Sequence, residues 1–214
     1  MQRAIGILAA SAALASLTAA CGSSSSSSSS HAGTPAATAA PATTSGGSAP
    51  TVGALSAEAT SAATGDIPDN QAFLTYTNPV AHYSMSYPEG WALKSTSGDV
   101  SFSDKNNVVH VVVASGSVPT PASLAAELAG LKRSNPALTF TPPAPIQLKS
   151  GPAVRTIYRL QSAPNPVTGK SVLLIVDRYQ FAHAGDRVTV DLGTPKGVDN
   201  VDAYRKMINS FTWH

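Results

Sequence analysis

Cysteine occurs once in this chain, at Cys21, so no internal disulfide can form and no cluster of thiolates can hold a metal. Charge is missing from a long stretch: after Arg3 the next charged residue is Glu58. Aromatic side chains are missing from a longer one, since every Phe, Tyr and Trp lies at Phe73 or beyond. A segment of Ala, Ser, Thr, Gly and Pro without aromatics cannot bury enough apolar surface to offset its ordering entropy. The expectation is a single domain of ordinary size over residues 66–214. Formal net charge is only +2. The basic residues are scattered, with no Lys/Arg stripe interleaved with aromatics, which argues against nucleic acid as a partner.

Signatures of chemistry are missing as well. There is no G-x-S-x-G elbow for a nucleophilic serine and no glycine-rich phosphate loop between a strand and a helix. Five histidines are present, His31, His82, His110, His183 and His214, and none stands at a metal-site spacing from another ligand. No D-x-[DN]-x-[DN]-G calcium loop occurs. Asp104-Lys105-Asn106-Asn107 and Asp199-Asn200-Val201-Asp202 read as turn and helix-cap residues. The expectation is a protein that is not an enzyme, with no catalytic residues, cofactor or metal. Catalysis by residues distant in sequence would leave no such trace.

What is present begins at the N-terminus. Arg3 supplies a positive start, and Ala4 to Leu17 form an apolar segment shorter than the about 20 residues of a membrane-spanning helix. Residues 1–20 read as a secretory signal peptide. Leu17-Thr18-Ala19-Ala20-Cys21 resembles the bacterial lipobox, with Thr18 where a leucine is usual. That resemblance implies cleavage before Cys21 and a diacylglyceryl group on its sulfur. Several acyl chains hold a protein to a bilayer stably, because each buried CH₂ contributes about 0.8 kcal/mol. The expected location is the extracytoplasmic face of the cell membrane, with the membrane itself a partner through Cys21. Residues 21–65 then form a disordered tether, and Gly22 to Gly65 would span about 36 Å.

From Phe73 the chain alternates in short runs broken by turns. Strands are expected at 73–77, 82–87, 91–96, 100–104 and 108–115. Tyr83, Met85 and Tyr87 share one face. Thr120-Pro121 starts a helix with a cap and a favoured first-turn proline, carrying Leu124, Leu128 and Leu131 as its stripe. Further strands are expected at 144–149, 152–161, 171–183 and 187–194, with a loop from Ala163 to Lys170. A last helix begins near Asp199, its apolar stripe Val201, Tyr204, Ile208 and Phe211. Short turns between consecutive strands imply antiparallel pairing. The fold class is therefore α+β, a twisted antiparallel sheet flanked by helices.

Tyr83-Ser84-Met85-Ser86-Tyr87-Pro88-Glu89-Gly90-Trp91 resembles the F-S-h-x-Y-P-x-G-W opening of PsbP-like domains. Tyr204-Arg205-Lys206-Met207-Ile208-Asn209-Ser210-Phe211 is similar to that family's closing helix. The resemblance spans roughly Phe73 to Trp213 and implies an α/β/α sandwich. It also implies non-catalytic roles: extrinsic subunits serving photosystem II and its calcium and chloride, a eukaryotic relative that binds the GTPase Ran, and lipoproteins of actinobacterial type. The lipobox and tether make the chain most similar to the last group.

The function expected is a non-catalytic binding or accessory module for an envelope or membrane protein. One alternative is a carrier or sensor of a small apolar ligand or lipid. Another is a photosystem II-type extrinsic subunit with a calcium-linked role. Arg155 and Arg159 share a strand face that reads first as a solvated face with cross-strand charge pairs and second as a basic contact surface. Trp91 reads first as core and second as the lining of a ligand pocket. Replacing Cys21→Ala is expected to move the protein from the membrane pellet to the soluble fraction. Retention as firm as that of the unaltered protein would contradict lipidation at this residue.

Overall fold

A computed structural model of the protein describes residues 64–164 and 169–214. The chain divides into a unit Met1–Gly46, which lies outside the described residues, and a unit Gly47–His214, which holds all of them. The expected signal peptide, Cys21 and the tether up to residue 63 therefore lie outside the described residues.

The strands are β1 (Phe73–Asn78), β2 (Tyr83–Pro88), β3 (Ala92–Ser95), β4 (Asp99–Asp104), β5 (Asn107–Ser115), β6 (Thr139–Phe140), β7 (Ala144–Leu148), β8 (Gly151–Gln161), β9 (Leu173–His183), β10 (Asp186–Pro195) and β11 (Thr212–Trp213). Helix α1 is Pro121–Ser134 and helix α2 is Val201–Asn209. The large sheet runs β3-β4-β5-β10-β9-β8-β6, with β7 also paired to β8. Its neighbours are antiparallel throughout. The sequence led to one sheet. The structure sets β1, β2 and the C-terminal β11 apart as a second, three-stranded sheet.

Alternation along the long strands gives the large sheet two different faces. Val188, Val190 and Leu192 of β10 stand opposite Val113, Val111 and Val109 of β5. With Phe181 and Tyr179 of β9 they form an apolar core shared with Tyr83, Met85 and Trp91 of the small-sheet region and with Tyr204, Met207 and Ile208 of α2. The opposite face is covered by α1, where Leu124 and Leu128 pack on Val154, Tyr158, Leu174 and Val176. The layers are thus helix, large sheet, and then a small sheet with a helix.

Local chemistry explains the helix ends. Thr120 caps α1: its Oγ1 accepts from Ser123 N at 3.1 Å, and Ser123 Oγ accepts from Thr120 N at 2.9 Å, a reciprocal capping box. Leu131, expected in the stripe, is 39% exposed, and only Leu124 and Leu128 of the stripe are buried. In α2 the stripe is Tyr204, Met207 and Ile208 at i, i+3, i+4. Val201 is 61% exposed and Phe211 is buried beyond the helix.

Asn200 occupies the cap position of α2, but its side chain is spent elsewhere. Its Nδ2 donates to Asn107 Oδ1 and Thr194 Oγ1, both at 3.0 Å, and its Oδ1 accepts from Ile67 N at 2.8 Å. Asn107 Nδ2 in turn donates to Gly65 O at 2.6 Å. These amides pin the entering chain to the start of α2. The turn from β9 to β10 is Ala184-Gly185, both at positive φ, as a two-residue hairpin loop of this type requires.

Phe211→Ala removes a fully buried ring and is expected to lower unfolding free energy by about 3–5 kcal/mol. Val201→Ala, at an exposed site, should stay within about 0.5 kcal/mol. Urea unfolding of both variants checks this, and equal midpoints would contradict the assigned burial.

Candidate functional site

On its apolar face the large sheet is wider than α2. The remaining strip is a groove of about 470 Å³, within the range of about 300–1,000 Å³ typical of small-molecule sites. Ile157 of β8, Ile175 of β9 and Leu192 of β10 form its floor. Ile146 and Leu148 of β7 close one side, and Val201, Tyr204 and Ile208 of α2 form the other. Residues with this alternation face one way along each strand, so the apolar floor follows directly from strand register. Gly193 contributes from β10: a Cβ there would lie 3.0 Å from Val108 Cγ1. Its carbonyl accepts from Tyr204 OH at 2.7 Å, which locks α2 over the sheet.

The lining also carries polar residues, Gln147, Thr194, Asn200, Arg205 and Asn209 among them, and one ion-paired cluster adjoins the floor. Arg155 donates from Nε to Asp177 Oδ1 and from Nη2 to Asp177 Oδ2, both at 2.7 Å. Tyr179 OH donates to Asp177 Oδ2 at 3.0 Å, and the guanidinium lies 5.6 Å from the Tyr179 ring centre. A bidentate fork of this kind is among the stronger charge-assisted pairs. Asp177 holds Arg155 still further above its ordinary range. Burial, with the charge of Asp177 second, pushes the Tyr179 phenol up to about 12. Burial raises Tyr83, Tyr158 and Tyr204 well above the ordinary phenol range too.

The residues singled out from sequence are not brought together. Arg155 lines the groove. Arg159 is exposed, paired across from Thr139 and outside the groove. Trp91 is 9% exposed in the main core and does not line the groove. Asp177, Tyr179 and Ile175 were missed. Asp177 and Tyr179 lie two apart in a strand and Arg155 lies on another, and only strand register makes them neighbours.

On the opposite face of the large sheet, Arg187 Nη2 lies 4.0 Å from Glu127 of α1. Arg178 is 8% exposed and donates to Asp191 at 2.7 and 2.6 Å and to Glu127 of α1 at 2.8 Å. Tyr158 OH donates to Asp191 at 3.0 Å, and Gln180 Nε2 to Glu127 at 2.9 Å. This network is structural glue under a helix. His110 pairs with Asp99 at 2.7 Å. Among the described residues no group of three or more His, Cys, Asp or Glu is placed to hold a metal, and no helix is long and apolar enough to cross a membrane.

The solution structure of cyanobacterial PsbP (CyanoP) from Synechocystis superposes over 70% of this chain and 98% of its own, with a TM-score of 0.50 and 15% identity. The domain has the PsbP-like fold. The Ran-binding protein Mog1p of Saccharomyces cerevisiae matches 66% of this chain and 95% of its own, with a TM-score of 0.45 and 8% identity. LpqN of Mycobacterium tuberculosis, described as involved in cell envelope biogenesis, matches 67% and 85%, with a TM-score of 0.38 and 13% identity. At these identities the likeness is one of fold alone. No family model matches the chain, and no curated protein matches it in sequence. The α+β class expected from the sequence is the class observed.

The raised phenols give the PsbP-like domain an alkaline limit. Below pH about 10 these tyrosines are protonated in both states. Above it the unfolded chain releases its phenolic protons first, so stability falls as pH rises through about 12. Urea midpoints are expected to decline from pH 10 to 12, and a midpoint unchanged at pH 11.5 would contradict the buried phenol assignments.

Proposed function

We propose that the chain is a membrane-anchored extracytoplasmic lipoprotein whose PsbP-like domain is a non-catalytic binding module, taking a small apolar ligand or lipid in the groove beneath α2. The observation that carries this reading is the groove itself: about 470 Å³ between helix and sheet, with an aliphatic floor, the Arg155–Asp177–Tyr179 cluster beside it, and Gln147, Thr194, Asn200, Arg205 and Asn209 also on the lining. Concave, mostly apolar sites with a few placed polar groups are what small ligands occupy. Asp177 accepts two bonds from Arg155 and one from Tyr179, a commitment that suits positioning more than proton transfer. The anchor reading rests on Arg3, the apolar segment and the Cys21 motif.

A second reading, an accessory module for another envelope or membrane protein, draws on a different surface. Leu74 of β1 and Leu93 of β3 are 43% and 42% exposed. They lie on the edge strands of the two sheets, whose rims are joined by Tyr76 OH and Ser95 Oγ at 2.7 Å. Edge strands with unpaired backbone groups and apolar side chains are natural contact sites.

Native mass spectrometry of the protein purified from its own membranes separates the two. Under the ligand reading the domain carries added mass that an Ile157→Trp variant, which fills the groove floor, loses. Added mass retained by that variant, or none in either, would count against the groove. Recovery of one specific protein only with the anchored form, and not with Cys21→Ala, would favour the accessory reading.

A further inference from the structure

Resting on the groove reading above, we infer that the ligand is a single-chain amphiphile whose head is uncharged and accepts hydrogen bonds, such as an acyl ester, and that Arg155 reads that head. Arg155 stands at a junction. It lines the main groove and also, with Ile146 and Ile157, an adjoining depression of about 230 Å³ beside Pro142 and Pro145. Its side chain is 40% exposed. A guanidinium has five N–H donors, and two go to Asp177. The donors not spent on Asp177, on this part-exposed side chain, can turn to a head group while the chain follows the aliphatic floor.

The charge balance selects the kind of head. The positive charge of Arg155 is matched within the cluster by Asp177, which accepts two hydrogen bonds from it at 2.7 Å. The other cation on the lining, Arg205 of α2, is matched by Asp202 at 2.7 Å. The groove therefore offers donors without surplus positive charge. A carboxylate or phosphate head seated at Arg155 would stand beside Asp177 with no compensating cation, and burying such an anion is costly. A purely hydrocarbon ligand would cover the Arg155 donors without pairing them, which is also unfavourable. An ester carbonyl meets both requirements.

The test uses the full chain carrying Cys21→Ala, which needs no detergent, with two probes of equal chain length: 1-decanoylglycerol and decanoate at pH 8, where the acid is ionised. Binding is read by isothermal titration calorimetry. The uncharged ester is expected to bind one to one, at least about tenfold tighter than the acid, the worth of roughly one hydrogen bond to a charged donor. Arg155→Lys keeps the charge beside Asp177 but loses the fork, and should weaken the ester severalfold while leaving the acid little changed. Decanoate binding as tightly as the ester, or an Arg155→Lys variant with unaltered ester affinity, would overturn this inference and leave the groove reading standing. If neither probe binds, the groove reading itself falls.

Discussion

Phe211 is where the parts of this domain are held together. Its ring stacks on Tyr83 of the small sheet at 4.9 Å and meets Phe181 of the large sheet edge-on at 4.8 Å. Trp213 closes the cluster at 5.1 Å from Phe211 and 6.2 Å from Phe181. Such arrangements add to the burial of large rings beyond area alone. Because Phe211 lies two residues past the end of α2, fixing this ring fixes the end of the helix, while Tyr204 bound to Gly193 fixes its middle. The amides of Asn200 fix its start. Three anchors hold α2 over part of the sheet and leave the rest of that face uncovered, which is the groove.

The two faces of the large sheet are stabilised by different physics. One is packed with valines, leucines and aromatics, where transfer from water dominates. The other carries Arg178, Asp191, Gln180 and Tyr158, which form a network with Glu127 of α1. Burying charges costs several kcal/mol per ion before pairing, and here each arm of the guanidinium meets a carboxylate. The guanidinium also lies 5.0 Å from the Tyr158 ring centre. Besides the packing of Leu124 and Leu128, α1 is held to the sheet by the bonds that Glu127 accepts from Arg178 and Gln180. The same contrast explains the groove cluster, where Arg155 and Asp177 neutralise one another in aliphatic surroundings.

Much of the fold was legible in the chain. Period-two alternation placed most strands and the shared face of Tyr83 and Met85 in β2, because side chains in a strand must alternate. Thr120-Pro121 marked the start of α1, because orphan N–H groups and the missing proline N–H act locally. The two-residue strands β6 and β11 left no period to detect. Val201 was misplaced because the stripe of α2 was phased from its first residue, when Met207 completes it.

The sequence by itself determined most of the secondary elements, the antiparallel class and the expectation of an anchor at Cys21. Those features depend on composition and on residues within a turn or two of one another. Tertiary structure alone decided that β1, β2 and β11 form their own sheet, that Arg178 is buried while Arg159 is exposed, and that Arg155, Asp177 and Tyr179 meet beside an aliphatic groove. Each depends on pairing register between strands distant in the chain, where a shift of one residue would turn every side chain to the other face.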